Sequence, residues 1–317
     1  MTKQDLRIVF MGTPDFAVES FKALVEGGYN VVAAVTMPDK PAGRGHHMIT
    51  SAVKDYALSV GVPVLQSERL KAPEFLEQLA ACKADLFIVV AFRMLPEVVW
   101  TMPALGTFNL HGSLLPKYRG AAPINWAVIN GDKETGVTTF FLKHEIDTGD
   151  LILQEHMPIG EDENVGSVHD RMMMLGAGLV TRTVDLIIDS VNSGKPVPTK
   201  SQNEVLSREQ IPAEALGAPK IFKETCEIDL TRTAREVKNF VRGLSPYPAA
   251  WTNLRIGDHV FENTKIFEVR LSPAGSPSTL DSRPLTLKAA DGYLDILSLQ
   301  VPGKKRMNAK DFLNGLH

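Results

Sequence analysis

Short apolar runs alternate with segments of helical periodicity along the first half of the chain, and this alternation limits the possible folds. Residues 6–11 form an apolar run that ends in Gly-Thr-Pro, and the apolar residues after it recur at helical spacing as far as Gly27-Gly28. A second helix is predicted at residues 51–60. Further buried strands are predicted at residues 31–35, 63–65, 86–91 and 106–110. Alternating strands and helices predict an α/β domain with a mostly parallel sheet.

An amide and an imidazole stand two residues apart where one of these runs ends. Strand alternation places the side chains of Asn109 and His111 on the same face. Residues 113–120 are polar and rich in Pro and Gly, so the pair lies where strand gives way to loop, the usual location of sites in open parallel sheets. Such a pair can simply bond to loop backbone. It can also stabilise an oxyanion and carry a proton, as acyl or formyl transfer requires.

Several common motifs are missing from the sequence. The turn after the first strand reads Gly-Thr-Pro-Asp-Phe-Ala, not Gly-x-Gly-x-x-Gly, and no Gly-x-x-x-x-Gly-Lys-Ser/Thr occurs, so neither a nicotinamide cofactor nor a P-loop nucleotide is predicted. Cys82 and Cys226 lie far apart, and the eight histidines show no metal-binding spacing. We therefore expect neither a disulfide nor a metal.

Length and composition indicate two globular domains. The chain has 317 residues, 44% of them hydrophobic and 22% charged. No apolar run approaches the ~18 residues of a membrane span, and the N-terminus lacks the apolar core of a signal peptide, so a cytoplasmic location is expected. A net charge of −3 is no signature of nucleic-acid binding.

Beyond these strands the sequence pattern changes at residue 192 and again at residue 223. Strands are predicted at residues 137–142 and 152–158, around a loop with several carboxylates, followed by a long helix at 168–191. Residues 192–222 are rich in Pro, Ser, Lys and Gln and are interpreted as a linker. A helix at 233–244 and short strands beyond it predict a small β-barrel-like domain. Those strands are expected at residues 251–256, 260–261, 266–271, 285–289 and 294–299.

Several motifs together resemble the folate-dependent formyltransferases, and among them the branch that acts on tRNA. The resemblance rests on Asn-Leu-His-Gly-Ser-Leu-Leu-Pro at 109–116, Asp-Thr-Gly-Asp at 147–150, Gly-Thr-Pro-Asp-Phe-Ala at 12–17 and Pro-Ala-Gly-Arg-Gly at 41–45. It is supported by Arg-Gly-Ala-Ala-Pro-Ile at 119–124 and Gly-Lys-Lys at 303–305. The resemblance implies a Rossmann-like catalytic domain at residues 1–191, a linker at 192–222 and an OB-like β-barrel that binds tRNA at 223–317.

The resemblance also implies an activity and three catalytic residues. The expected reaction transfers a formyl group from 10-formyltetrahydrofolate to the free amino group of methionyl-initiator tRNA, for translation initiation. Asn109 and a protonated His111 would be donors to the oxyanion, and Asp147 would favour the imidazolium and orient a water that accepts the amine proton. The protein would need no metal and is expected to act as a monomer away from membranes.

Two further groups of residues follow from the resemblance. The folate is expected to contact two segments, whose members are Phe92, Met94, Ser113, Leu114, Leu115 and Pro116. The segment at 92–96 reads Phe-Arg-Met-Leu-Pro, which is bulkier than the usual Gly-Leu-Ile-Leu-Pro. Basic residues are expected to contact tRNA phosphates or an unpaired end base. These residues are Arg44, Lys304, Lys305 and Arg306.

Two alternatives remain open. A formyltransferase for a small amine, such as glycinamide ribonucleotide or an amino-sugar nucleotide, would share the three catalytic residues but not the tRNA-binding ones. A catalytically inactive RNA-binding protein would explain the second domain and the basic residues, but it leaves Asn109, His111 and Asp147 without a role.

Overall fold

The computed structural model describes residues 1–42, 47–209, 211–273 and 285–316. Residue contacts divide the chain into two compact units. Unit 1 comprises Met1–Gly120, Gly136–Met157 and Asp170–Gly217. Unit 2 comprises Ala121–Thr135, Pro158–His169 and Ala218–His317. The domain limits given above, at residues 191 and 222, stay a prediction.

Strands and helices are numbered along the chain. The helices are α1 Asp15–Glu26, α2 Ala52–Ser59, α3 Pro73–Ala81, α4 Glu97–Trp100, α5 Pro123–Ile129, α6 Val165–Ser193, α7 Gln202–Glu209, α8 Ala234–Leu244 and α9 Ala309–Asn314. The strands up to the long helix are β1 Ile8–Gly12, β2 Val31–Thr36, β3 Lys40–Ala42, β4 His47–Ile49, β5 Val64–Gln66, β6 Leu86–Val90, β7 Thr107–His111, β8 Arg119–Gly120, β9 Glu134–Phe141 and β10 Leu151–Pro158. The later strands are β11 Gly217–Ala218, β12 Ala250–Ile256, β13 His259–Leu271, β14 Thr286–Lys288, β15 Tyr293–Gln300 and β16 Met307–Asn308.

A seven-stranded sheet in the order β10-β9-β7-β6-β1-β2-β5 forms the centre of unit 1. The five strands β7, β6, β1, β2 and β5 are parallel, whereas β9 pairs with β7 in the antiparallel direction. All five residues of β1 and all five of β6 are buried, as expected for strands covered on both faces. The predicted α/β fold with a mostly parallel sheet is confirmed.

The carboxyl ends of β1, β6 and β7 lie side by side, since these strands are adjacent and parallel. From β1 the chain continues to β2 and β5 on one side, and it then crosses back to β6 on the other side of β1. A switch of this kind opens a crevice outside the carboxyl ends of the strands, where ligands bind in open α/β sheets. His111 is the last residue of β7 and therefore lies at this edge.

Several elements of unit 1 are absent from the sequence prediction. Helices α3 and α4 follow β5 and β6. The antiparallel pair β3 and β4 flanks the basic loop. Helix α7 lies within residues 192–222, which were interpreted as a linker without periodicity, and its first residue, Gln202, is buried.

Unit 2 contains an antiparallel sheet in the order β12-β13-β15-β14, and β16 pairs with β15 beyond the end of β14. Helices α8 and α9 contribute Val237, Val241 and Phe312 to the core against this sheet. The two short strands predicted at 260–261 and 266–271 are one continuous strand, β13. A capping box starts α8: Glu236 N–H donates to Thr233 Oγ1, and Glu236 Oε2 accepts from the backbone N–H of Thr233.

Among the residues that the structure describes, no group of three or more His, Cys, Asp and Glu side chains is placed to hold a metal ion. None of the helices in the described ranges combines the length and the apolar character needed to cross a membrane.

Candidate active site

Asn109 and His111 project from the end of β7, on the same face of the strand as predicted. The His111 side chain is 7% exposed and meets the edge of the Phe140 ring, with the ring centroids 6.4 Å apart. Asn109 is half-buried. Its Oδ1 is shielded from solvent and has no hydrogen-bond partner within the described part of the chain. A buried amide oxygen without a partner is costly in a fold, and it can only accept a hydrogen bond.

The backbone selects one tautomer of His111. Its Nε2 lies 2.8 Å from the carbonyl oxygen of Tyr118. A carbonyl oxygen can only accept, so Nε2 carries the hydrogen and donates it. Nδ1 is therefore the nitrogen that can gain or lose a proton.

Asp147 faces this nitrogen from the loop between β9 and β10. Its Oδ2 lies 3.8 Å from His111 Nδ1, which is close enough for electrostatic attraction but too long for a hydrogen bond. The same oxygen accepts a hydrogen bond from the Gly120 backbone N–H at 2.9 Å. The backbone of Asp147 has a φ of +55°, in the left-handed region that Asp tolerates better than most residues. The structure thus brings Asp147 and His111 together, although 36 residues separate them.

Gln202 and Arg119 complete the surroundings of Asp147, and sequence reasoning assigned neither of them a role. Gln202 Nε2 donates to the carbonyl oxygens of Asp147 and Gly149, at 2.8 and 2.9 Å. Its Oε1 accepts from Arg119 Nε and Nη2, at 3.0 and 2.6 Å. Burial lowers the pKa of Arg119, and the nearby carboxylates of Asp147 and Glu145 partly oppose this effect. Arg119 belonged to a recognised motif, whereas no local pattern marked Gln202.

The loop after β7 is held by hydrogen bonds to neighbouring strands. The hydroxyl of Ser113 donates to the Lys117 carbonyl at 2.6 Å, and the carbonyl of Ser113 accepts from the Thr138 hydroxyl at 2.7 Å. Leu115 is buried, and its peptide bond to Pro116 is cis. Leu114 is half-buried. The side chains of Ser113 and Leu115 are buried and hold the backbone of this loop, whereas the side chain of Leu114 remains partly accessible.

The segment after β6 is anchored by Arg93, which sequence reasoning did not assign to the site. Arg93 Nη1 donates to the Glu68 carbonyl at 2.7 Å, Nη2 donates to the Ser67 carbonyl, and burial lowers the pKa of this guanidinium. Phe92 is half-buried against the core, whereas Met94 is 74% exposed. Of the two predicted folate contacts here, Met94 is the side chain that solvent reaches.

The basic residues predicted to contact tRNA differ in how they are held. Lys304 and Lys305 are exposed. The guanidinium of Arg306 lies 4.4 Å from the centroid of the Phe267 ring, and its Nε donates to Ser298 Oγ at 2.8 Å. Arg306 therefore stabilises its own domain, whatever else it contacts. Arg44 lies outside the described residues.

Comparisons with known proteins decide the family. A family model described as formyl transferase matches residues 6–184, and one described as formyl transferase, C-terminal domain, matches residues 220–317. The chain is 59% identical to the methionyl-tRNA formyltransferase of Parabacteroides distasonis, with 99% of this chain and 97% of the relative covered. It is 50% identical to that of Porphyromonas gingivalis, with the same coverage. The chain belongs to the methionyl-tRNA formyltransferase family.

Two solved structures share the fold of this family member. The N-formyltransferase from Helicobacter canadensis, in complex with folinic acid and dTDP-3-aminofucose, superposes with a TM-score of 0.62 at 18% identity, covering 92% of this chain and 98% of that one. HypX from Aquifex aeolicus, in complex with tetrahydrofolic acid, gives a TM-score of 0.60 at 18% identity, covering 97% of this chain and 47% of that one. The resemblance inferred from short motifs is thus confirmed over the whole chain.

Proposed function

We propose that the chain transfers the formyl group of 10-formyltetrahydrofolate to the amino group of methionyl-initiator tRNA, and that Asn109, His111 and Asp147 carry the reaction. The observation that supports this most directly is the juxtaposition of Asp147 Oδ2 and His111 Nδ1, 3.8 Å apart, at the end of the strand that also carries Asn109.

The proposed chemistry follows from these groups. The amine of the methionyl group attacks the formyl carbon, a new C–N bond forms, and the carbonyl oxygen becomes an oxyanion. The Asn109 amide and a proton on His111 Nδ1 stabilise that charge; one such donor is worth a factor of ~100–1000 in rate. Asp147 favours the imidazolium by attraction and orients the water that removes the amine proton. The C–N10 bond then breaks, N10 takes up a proton, and formyl-methionyl-tRNA and tetrahydrofolate leave.

We assign the folate to the crevice outside β6 and β7. Tetrahydrofolic acid and folinic acid are named in complexes of proteins with the same fold, which supports a folate donor. The proposed contacts are the side chains of Phe92, Met94 and Leu114, and the loop at Ser113, Leu115 and Pro116, whose backbone is held by Thr138 and Gln154. The buried side chains of Ser113 and Leu115 act by holding that backbone in place.

We assign the tRNA contacts to the C-terminal region, residues 223–317, and to the basic loop around Arg44, with the catalytic domain at residues 1–191. Lys304 and Lys305 are exposed and can reach phosphates without giving up contacts inside the protein. Arg306 is the weaker candidate, because Phe267 and Ser298 already bind its guanidinium.

One assay tests the reaction against its alternatives. The protein is incubated with 10-formyltetrahydrofolate and, in parallel, with charged initiator tRNA, uncharged tRNA, glycinamide ribonucleotide, an amino-sugar nucleotide, or buffer alone. Release of tetrahydrofolate and formation of formyl-methionine are both followed. We expect turnover with charged initiator tRNA only. Turnover with a small amine instead would assign the protein to small-amine formyltransferases, and tRNA binding without turnover would indicate an inactive RNA-binding protein.

A further inference from the structure

We infer that Gln202 is a positioning residue that holds the Asp147 carboxylate against His111. The inference rests on the proposed function, since it assigns Gln202 a role only through Asp147. Gln202 is the first residue of α7 and is 2% exposed, whereas the next residue of the helix, Asn203, is exposed. A polar side chain buried this completely at the start of a short helix must find its partners elsewhere.

The amide of Gln202 uses its full hydrogen-bonding capacity. Its two N–H groups donate to the carbonyl oxygens of Asp147 and Gly149, and its oxygen accepts two bonds from the guanidinium of Arg119. This arrangement also fixes the orientation of the amide. A flipped amide would place its oxygen against two carbonyl oxygens and its NH₂ group against a cation that cannot accept. The contacts are therefore specific for an amide of this length.

These bonds stabilise a backbone conformation that Asp147 would not otherwise prefer. At a φ of +55°, a non-glycine residue is strained unless its surroundings compensate. The Gln202 amide compensates by binding the Asp147 carbonyl and, two residues on, the Gly149 carbonyl. The direction of a side chain follows from φ and ψ, so the same two bonds keep Asp147 Oδ2 within 2.9 Å of the Gly120 N–H and 3.8 Å of His111 Nδ1.

Two substitutions of similar size test this role. Gln202→Met fills the space but makes none of the four bonds. Gln202→Glu retains the acceptor for Arg119 but cannot donate to either carbonyl. A displacement of about 1 Å in a catalytic group costs ~100-fold in rate, and we expect kcat to fall about 10- to 100-fold in both variants. The KM values for tRNA and for 10-formyltetrahydrofolate should change less than about 2-fold. Asn203→Ala, one residue along α7, is the matched control and should keep the activity of the unsubstituted protein.

A double-mutant cycle separates positioning from general stability. If Gln202 acts through Asp147, Gln202→Met should cause no further loss of kcat in an Asp147→Ala background. Losses that multiply, or Gln202 variants with kcat within about 2-fold of the unsubstituted protein, would overturn the inference. Thermal melts of each variant establish that the folded protein is assayed. Gln202→Glu takes the place of Gln202→Met in the cycle if the Met variant does not fold.

A second readout is independent of activity. The Gly120 amide hydrogen is protected by its bond to Asp147 Oδ2, so its exchange rate reports the position of that carboxylate. We expect Gln202→Met to speed exchange at Gly120 and Asn203→Ala to leave it unchanged. Unchanged exchange at Gly120 in the Gln202 variants contradicts the inference. An unsubstituted protein without turnover on charged tRNA contradicts the proposed function instead, so the two failures are distinguishable.

Discussion

Of the two ring nitrogens of His111, Nε2 donates to the carbonyl oxygen of Tyr118, and Nδ1 faces Asp147. The bond to a backbone carbonyl orients the ring and keeps Nε2 protonated, so every change of charge on this side chain takes place at Nδ1. In the proposed reaction, the same nitrogen donates to the oxyanion and faces the Asp147 carboxylate. A substitution at His111 removes both functions while leaving the surrounding loop bonded to strands β9 and β10.

Replacing His111 by Ala should therefore lower kcat for formyl transfer on the order of 1000-fold, with little effect on the affinity for folate. The measurement is single-turnover formylation of charged tRNA, together with equilibrium binding of a folate analogue. His259→Ala removes an exposed histidine of unit 2 and serves as the control. Near-normal turnover of His111→Ala would remove this residue from the mechanism.

At the level of single residues, the sequence predicted Asn109 and His111 because strand alternation places positions i and i+2 on one face. Asp147 was predicted from the Asp-Thr-Gly-Asp motif, because nothing in the residues around it shows that it lies near His111. Gln202 was missed for a physical reason: its four hydrogen bonds are to residues 53 to 83 positions away, and a chain of polar residues such as Ser-Gln-Asn gives no sign of such contacts.

The hairpin of β9 and β10 depends on one glycine at its turn. A Cβ on Gly149 would lie 1.6 Å from the carbonyl oxygen of Phe141 and 2.8 Å from its carbonyl carbon. Both are atoms of the backbone, so the clash cannot be relieved by rotating a side chain. The carbonyl of Gly149 is also one of the two that Gln202 binds. The close approach of these two segments is thus available only to glycine.

Gly149→Ala should consequently destabilise the protein by about 3–5 kcal/mol, at the upper end of the range for single substitutions. Chemical denaturation of the purified variant measures this change. Gly178→Ala is the control, because a Cβ there has open space around it in the exposed face of α6, and Ala should stabilise the helix by about 0.5–1 kcal/mol. Equal stabilities for the two variants would contradict the geometry of the turn.

The capping box of α8 gives a prediction with a pH dependence. Thr233→Ala removes the hydroxyl that binds Glu236 and should cost about 1 kcal/mol, whereas Thr233→Ser should retain most of the stability. The Thr233 hydroxyl, and then the Thr233 backbone N–H, hold the pKa of Glu236 below its ordinary value of 4.5. A lowered pKa stabilises the fold above the pKa of the unfolded chain, and this part is lost as pH falls through the folded value.

The difference between Thr233→Ala and the unsubstituted protein should therefore be full at neutral pH and shrink below about pH 4.5. Amide hydrogen exchange within α8, measured at neutral pH and below about pH 4.5, reports how much stability the helix loses in the variant. A difference that grows on acidification would contradict the capping box.

Elements were predicted well where periodicity is strong and poorly where the chain is short or tied by tertiary contacts. Strands β1, β2 and β6 of the parallel sheet are nearly continuous apolar runs, and the sequence indicated them. The pair β3 and β4 has only three residues per strand, and α7 carries polar residues over most of its length. Neither has enough apolar residues for a periodic pattern. The long strand β13 was divided in two because polar residues interrupt its apolar positions.

At the scale of the whole molecule, sequence predicted two domains, and residue contacts divide the chain into two units, with residues 121–135 and 158–169 grouped with the C-terminal part. The apolar pattern of those segments carries no information about which core they join. The exposed charges of unit 2 are not equivalent. Lys304, Lys305 and Arg306 are adjacent in sequence, but among the residues that the structure describes, side chains of unit 2 contact only the guanidinium of Arg306.

Because Phe267 and Ser298 contact the Arg306 guanidinium, substitutions of the two lysines and of Arg306 should have different effects on tRNA binding and on stability. Lys304→Glu combined with Lys305→Glu should raise the KM for tRNA and reduce the dependence of log K on log salt by about 1 for each lost phosphate contact. Arg306→Met should lower the stability of the protein more than its affinity for tRNA. Filter binding over a range of salt concentrations, paired with thermal melts, measures both. A salt dependence unchanged by the Lys substitutions would exclude these residues from the tRNA interface.

The bond between Gln202 and Asp147 spans 55 positions of sequence. A ribosome adding about 5–20 residues per second reaches residue 202 some 3–11 s after residue 147. During that interval the emerging chain already contains Asn109, His111 and Asp147 but lacks the amide that holds the third of them in place. A fragment that stops at residue 184 or 191 likewise contains Asn109, His111 and Asp147 but lacks Gln202. The proposed role of Gln202 therefore predicts that a minimal catalytic fragment continues through α7, and that the nascent chain gains activity only after that helix has left the exit tunnel.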